Sequence, residues 1–109
     1  MVGDTGKAHR LTARAMPADF SPIHNFYEQQ VVNLVTDLAG TYPLLTPDHH
    51  PDVACVALNR LPPRYIRHQV DLAFHMTEKE RLDSEQLIQD AVVYAFEFVQ
   101  ARHAMRARR

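Results

Sequence analysis

The sequence predicts a mainly α fold: a small helical domain of three to four helices with a short β element, associated as a homodimer. Three observations carry that expectation. Apolar residues recur at three- and four-residue steps before Gly40 and again towards the end of the chain. A shorter amphipathic stretch runs from Asp52 into the pair Pro62-Pro63, and only the stretch from Val70 to Met76 alternates with a period of two.

Residues 1–20 mix Gly, Lys, Arg, Thr and Ala without sustained periodicity and predict a flexible N-terminal arm. From Pro22 to Ala39 the residues Ile23, Tyr27, Val31, Leu34, Val35 and Leu38 share one helical face, and Gly40 ends the pattern. Two starts fit this helix, a capping box from Asn25 to Glu28 and the earlier Ser21-Pro22. Thr41 to Pro51 holds three prolines around an Asp-His-His cluster and predicts an irregular connection.

The second helix is expected from about Asp52 to Arg60. It must stop there, because Pro62 and Pro63 each fix φ at about −65°, lack a backbone donor, and bias the residue before them away from the α region. Past this corner, Val70, Leu72, Phe74 and Met76 alternate with Asp71, Ala73 and His75, which predicts a short strand. Thr77 with Glu78 and Glu80 resembles a helix start, and Asp83 or Ser84 caps a further helix running to about Arg102.

In that last helix Leu87, Ile88, Ala91, Val92, Ala95, Phe98 and Val99 form a wide stripe, while Val93, Tyr94 and Phe96 are apolar on the remaining faces. A helix apolar all round is buried on more than one side. A folded body of about 80 residues has few elements with which to cover a second face, so a second copy across a twofold axis is the simplest cover. Complete wrapping by the first helix and the strand within one chain is the alternative.

The net charge of −1 over 109 residues is unevenly spread. Arg102, Arg106, Arg108 and Arg109 crowd the end, and without them the body carries eight basic and thirteen acidic residues. Such a body repels nucleic acid, so direct nucleic-acid binding is not expected. The single cysteine, Cys55, excludes an internal disulfide and fits a reducing cytoplasm. No stretch approaches the roughly 20 apolar residues that span a bilayer, and the first 20 residues hold no signal-peptide block, so a cytoplasmic protein without membrane contact is expected.

The stretch DVACVALNRLPPRYI, from Asp52 to Ile66, is where a site is expected. A stiff corner presents its side chains with little loop freedom left to lose on binding. Asn59, Arg60, Arg64, Tyr65, Arg67 and His68, with Asp71 close by, form the densest set of anion- and base-recognising groups in the folded part. Arginine forks pair with phosphate oxygens or the O6/N7 edge of guanine, and a carboxylate accepts guanine's N1 and N2 donors. The plain alternative is a solvated turn with internal ion pairs.

The same stretch, preceded by HNFYEQQVV and followed by VDLAFHM, resembles the late-competence ComFB family, particularly its cyanobacterial-type members, over roughly Ile23 to Val99. That resemblance implies a ComFB-like domain over residues 21–103, followed by a basic tail over 104–109. It also implies an α-rich homodimer without enzymatic activity that acts as a receptor for a cyclic dinucleotide, cyclic di-GMP or cyclic di-AMP, and needs no cofactor. The bound state would pass to a protein partner, such as a transcription factor or a pilus or competence component. On this reading Arg64 and Arg67 neutralise phosphates, Asn59, Asp71 and His68 read base edges, and Tyr65 or a guanidinium stacks. The competing function is a dimeric adaptor in competence or motility with no small ligand, for which burial of Tyr65 and pairing of the arginines with Glu28 or Asp71 would speak.

Metal and catalytic chemistry are weakly encoded. Asp48, His49, His50, Asp52 and Cys55 include the ligand types that zinc prefers, but no Cys-x-x-Cys or His-x-x-x-His pair exists. Some relatives of the family carry zinc-binding cysteines just ahead of the second helix, where this chain has none, so no metal is expected. With three glycines in all and none after Gly40, a phosphate-cradling glycine loop is excluded.

Overall fold

The computed structural model of the chain describes residues 17–68 and 76–107. Among them are three α-helices and one two-stranded sheet: β1 (His24–Asn25), α1 (Tyr27–Leu38), α2 (His50–Asn59), β2 (Tyr65–Ile66) and α3 (Glu78–Ala107). Two 3₁₀ turns, Ala39–Thr41 and Pro47–His49, bridge α1 to α2. The mainly helical expectation holds.

The helices pack because each supplies an apolar stripe to one core. Tyr27, Val31 and Val35 recur at four-residue steps on α1, Val53 and Ala57 do so on α2, and α3 contributes Ile88, Ala91, Val92, Ala95, Phe96 and Val99. α2 lies along α3, and α1 packs on both. Ala91 and Ala95 keep this face of α3 narrow. Phe96 fills the centre with no exposed surface, its ring stacked 4.4 Å from Tyr42 in the connection after α1.

Several boundaries differ from the sequence expectation, each for a local reason. α1 begins at Tyr27 rather than near Pro22, because His24 and Asn25 are taken into an antiparallel ladder with Ile66 and Tyr65. Ile23, expected on the buried face, is therefore 51% exposed. The capping box from Asn25 to Glu28 does not form: the N-cap is Phe26, without a side-chain cap, and Asn25 Oδ1 accepts the Tyr27 N–H at 2.9 Å in a local turn. The α-helical pattern stops at Leu38, and Gly40 sits in a 3₁₀ turn without a positive φ.

α2 starts two residues early, at His50, since Pro51 fits the first turn, where its missing N–H has no intrahelical partner to lose. The third helix is continuous from Glu78, with no break at Asp83 or Ser84, and it continues past Arg102 to Ala107. Thr77 starts it through a reciprocal capping box: its Oγ1 accepts the Glu80 N–H at 3.0 Å, and its own N–H reaches Glu80 Oε1 at 2.9 Å. Lys79–Asp83 and Arg81 with Glu78 and Glu85 then bridge successive turns, and these pairs carry the helix through Asp83 and Ser84. The strand expected from Val70 to Met76 falls almost wholly outside the described residues, as do most of the N-terminal arm and the last two arginines.

Candidate functional site

The proline corner is tied down on both sides. As α2 ends, the Arg60 N–H donates to Ala57 O at 3.0 Å and the Leu61 N–H to Leu58 O at 3.2 Å, while the Leu61 side chain is buried in the core. After the prolines, the Phe26 N–H donates to Arg64 O at 2.6 Å and β2 pairs with β1. The corner is thus stitched to the start of α1, a contact between residues about forty apart that sequence periodicity does not encode.

That stitching brings the beginning of α1 against the end of α2 and opens a cleft of about 340 Å³. Its polar side carries Asn25, Glu28, Asn59 and Tyr65, and Leu58, Leu61 and Pro63 supply the apolar lining. Tyr65 stands 68% exposed, a ring available to stack rather than a core residue. Asn59 donates its Nδ2 to Cys55 O at 3.0 Å and so keeps its Oδ1 as an acceptor, whereas Asn25 uses its Oδ1 on Tyr27 and keeps its Nδ2 as a donor. Glu28 pairs with neither Arg60 nor Arg64, and the ion pairs among the described residues all lie in the first turns of α3.

The seven expected site residues fall into separate groups. Asn59 and Tyr65 share the cleft. Arg64, Arg67 and His68 are exposed and do not line it. Arg60 turns towards α3, its guanidinium carbon 3.7 Å from the centre of the Tyr94 ring. Asp71 lies outside the described residues.

Asn25 and Glu28 join the cleft although the sequence reading gave them capping or ion-pair roles. Their signal was the HNFYE stretch itself, which places an amide and a carboxylate three residues apart at a helix start.

Chemically, the cleft combines one carboxylate, one amide donor, one amide acceptor and one exposed aromatic face. A carboxylate takes two parallel N–H donors in a bidentate manner, which is what the N1 and N2 edge of guanine offers, and an amide donor suits the neighbouring O6. Among the described residues no nucleophile–base pair lines it.

The Asp-His-His segment is committed elsewhere. His49 Nδ1 accepts the Thr46 N–H at 3.0 Å, and the His50 ring meets Phe96 edge-on. Among the described residues no three His, Cys, Asp or Glu side chains converge on one metal position, and no helix is long and apolar enough to cross a membrane.

A comparison with curated proteins finds no match to the chain. A comparison with protein families matches residues 24–103, from β1 through most of α3, to the late competence development protein ComFB. That span contains β1, α1, α2, the proline corner and the whole cleft, so the chain belongs to the ComFB family.

Proposed function

We propose that this protein is a receptor for a cyclic dinucleotide, with cyclic di-GMP preferred over cyclic di-AMP, and that it signals through a protein partner as a homodimer. Membership of the ComFB family points to a competence-related role. The observation that carries the ligand reading is Glu28, an acid in no ion pair among the described residues, beside the exposed Tyr65 in a cleft at a rigid corner. Glu28 accepts the guanine N1 and N2 donors, Asn25 donates to O6, and Tyr65 stacks. Arg64 and Arg67, exposed at the flanks, neutralise the two phosphates. Adenine presents one amino donor beside a ring acceptor and fits a carboxylate less well.

The homodimer is supported by α3. Leu87, Tyr94, Phe98 and Met105 are exposed at successive spacings of seven, four and seven residues, the repeat of a helix-on-helix seam. An exposed apolar stripe of this regularity calls for a cover, and a twofold copy presents the same stripe in return.

Isothermal titration of the purified protein with cyclic di-GMP and cyclic di-AMP tests the reading. Saturable heat with the guanine ligand, weaker with the adenine one, is expected. Heat equal to dilution for both rejects it and leaves the ligand-free adaptor.

A further inference from the structure

We infer a second binding site, for a small organophosphate, in the recess between the start of α2 and the last third of α3. The recess holds about 320 Å³, at the lower end of small-molecule pockets, and its residues are distinct from those of the cleft at the proline corner. It does not depend on the cyclic-dinucleotide reading.

The walls of the recess differ in kind. One is cationic: Arg102 and Arg106 stand four residues apart on the same face of α3, with His103 between them in sequence and His49 opposite. Neither arginine is in an ion pair among the described residues. The His49 and His103 rings meet edge to face with centres 4.6 Å apart. Because His49 Nδ1 accepts the Thr46 N–H, the neutral ring carries its proton on Nε2 and remains a donor.

The apolar part is made by Val56 of α2 and by Val99 and Phe98 of α3, with the Arg102 guanidinium carbon 5.6 Å from the centre of the Phe98 ring. Two guanidinium forks and two imidazoles adjoining an apolar surface fit a phosphate attached to a ring or short carbon body better than a bare anion. Asp52 is the one acid in the recess, and it bonds to none of these groups among the described residues. Its charge opposes an anion, which sets a signature that a purely structural recess lacks.

The test is a titration of the full-length protein with adenosine monophosphate at constant ionic strength, read from the ring signals of His49 and His103 by NMR. Saturable shifts are expected, with inorganic phosphate moving the same signals at higher concentration. Arg102→Gln and Arg106→Gln should each weaken binding about tenfold, the scale of one lost charge-assisted contact.

Asp52→Asn should strengthen binding severalfold, and Arg64→Ala, at the proline corner, should leave it unchanged. Both arginines are exposed, so melting curves should place these variants close to the parent protein. Shifts that rise linearly, that chloride reproduces, or that persist unaltered in Arg106→Gln would overturn the site. Loss of binding in Arg64→Ala would also overturn it, by assigning the nucleotide to the proline corner.

Discussion

Replacing Glu28 by Gln removes one negative charge from the cleft and leaves its shape almost unchanged. Glu28 is exposed in the first turn of α1 and pairs with neither nearby arginine, so the substitution breaks no ion pair with Arg60 or Arg64. The fold loses only the favourable placement of an acid near a helix N-terminus, about 0.3–1 kcal/mol. Binding should lose more. One of two parallel acceptors becomes an amide group that faces a guanine N–H donor to donor, and the lost hydrogen bond was to a charged group, worth about 1.5–3 kcal/mol. That corresponds to roughly a ten- to hundredfold weaker affinity for cyclic di-GMP. Isothermal titration of the parent protein and Glu28→Gln, paired with thermal melts followed by circular dichroism, separates the two effects. An unchanged dissociation constant with cyclic di-GMP would refute the assignment of Glu28 to the base, even if the parent protein binds the ligand.

Gly40 has no positive φ, and a Cβ there meets no atom within 4 Å, so Gly40→Ala should raise stability by about 0.4–1 kcal/mol in denaturant unfolding. Thr77→Ala deletes one half of the capping box and should lower stability by about 1 kcal/mol, a fall of several degrees in melting temperature. The hydrogen bond from Arg81, together with its charge, holds the Glu78 carboxyl below the usual glutamate range. The stabilisation from Glu78 is therefore present above the unfolded carboxyl's value and is lost as pH falls through the lower folded value. Glu78→Gln should flatten the melting-temperature profile across that acid range, and an identical profile in both proteins would contradict the pairing. If the exposed stripe of α3 carries the proposed homodimer, Leu87→Glu should give a monomer where the parent protein gives a dimer in light scattering, with the helical signal retained.

The helices were legible where a period of three to four residues continued without interruption. Tyr27, Val31 and Val35, and Ile88, Ala91, Val92, Ala95 and Val99, are buried as their spacing requires. Leu87 and Phe98, expected on the same stripe, are instead 47% and 37% exposed, and Phe96, expected off it, is the fully buried ring. The reason is that the core contacted by α1, α2 and Tyr42 lies on the Phe96 side of the helix. The continuity of α3 was harder to read, because Asp83 and Ser84 are good caps in isolation. What overrides them is the preceding turn, where Thr77, Lys79 and Arg81 have already closed their bonds. The two-residue ladder of β1 and β2 was not legible at all. Two residues carry no period, and their pairing depends on a long-range meeting of His24 with Ile66. The candidate cleft depends on that same meeting, which is why Asn59 and Tyr65 could be named from the corner while Asn25 and Glu28, a distant stretch, were first assigned other roles.

The basic residues at the corner are not equivalent, although the sequence presents them as one cluster. Arg60 leaves α2 at its last turn, and the helix periodicity that buries Val53 and Ala57 also carries it towards α3, where its guanidinium lies over Tyr94. A ligand that recruits Arg60 must first remove it from that ring, against a contact of about 0.5–1 kcal/mol at an exposed site. Arg64 and Arg67 lie beyond the prolines, with the backbone between them fixed by β2, and make no such contact among the described aromatic pairs. For equal charge they are therefore the less costly partners for phosphate. Tyr94 also belongs to the exposed stripe of α3, so the position of Arg60 joins the corner to the face on which a second copy would rest. Under the proposed function, a ligand that drew Arg60 off Tyr94 would therefore also alter the surface offered to a second copy.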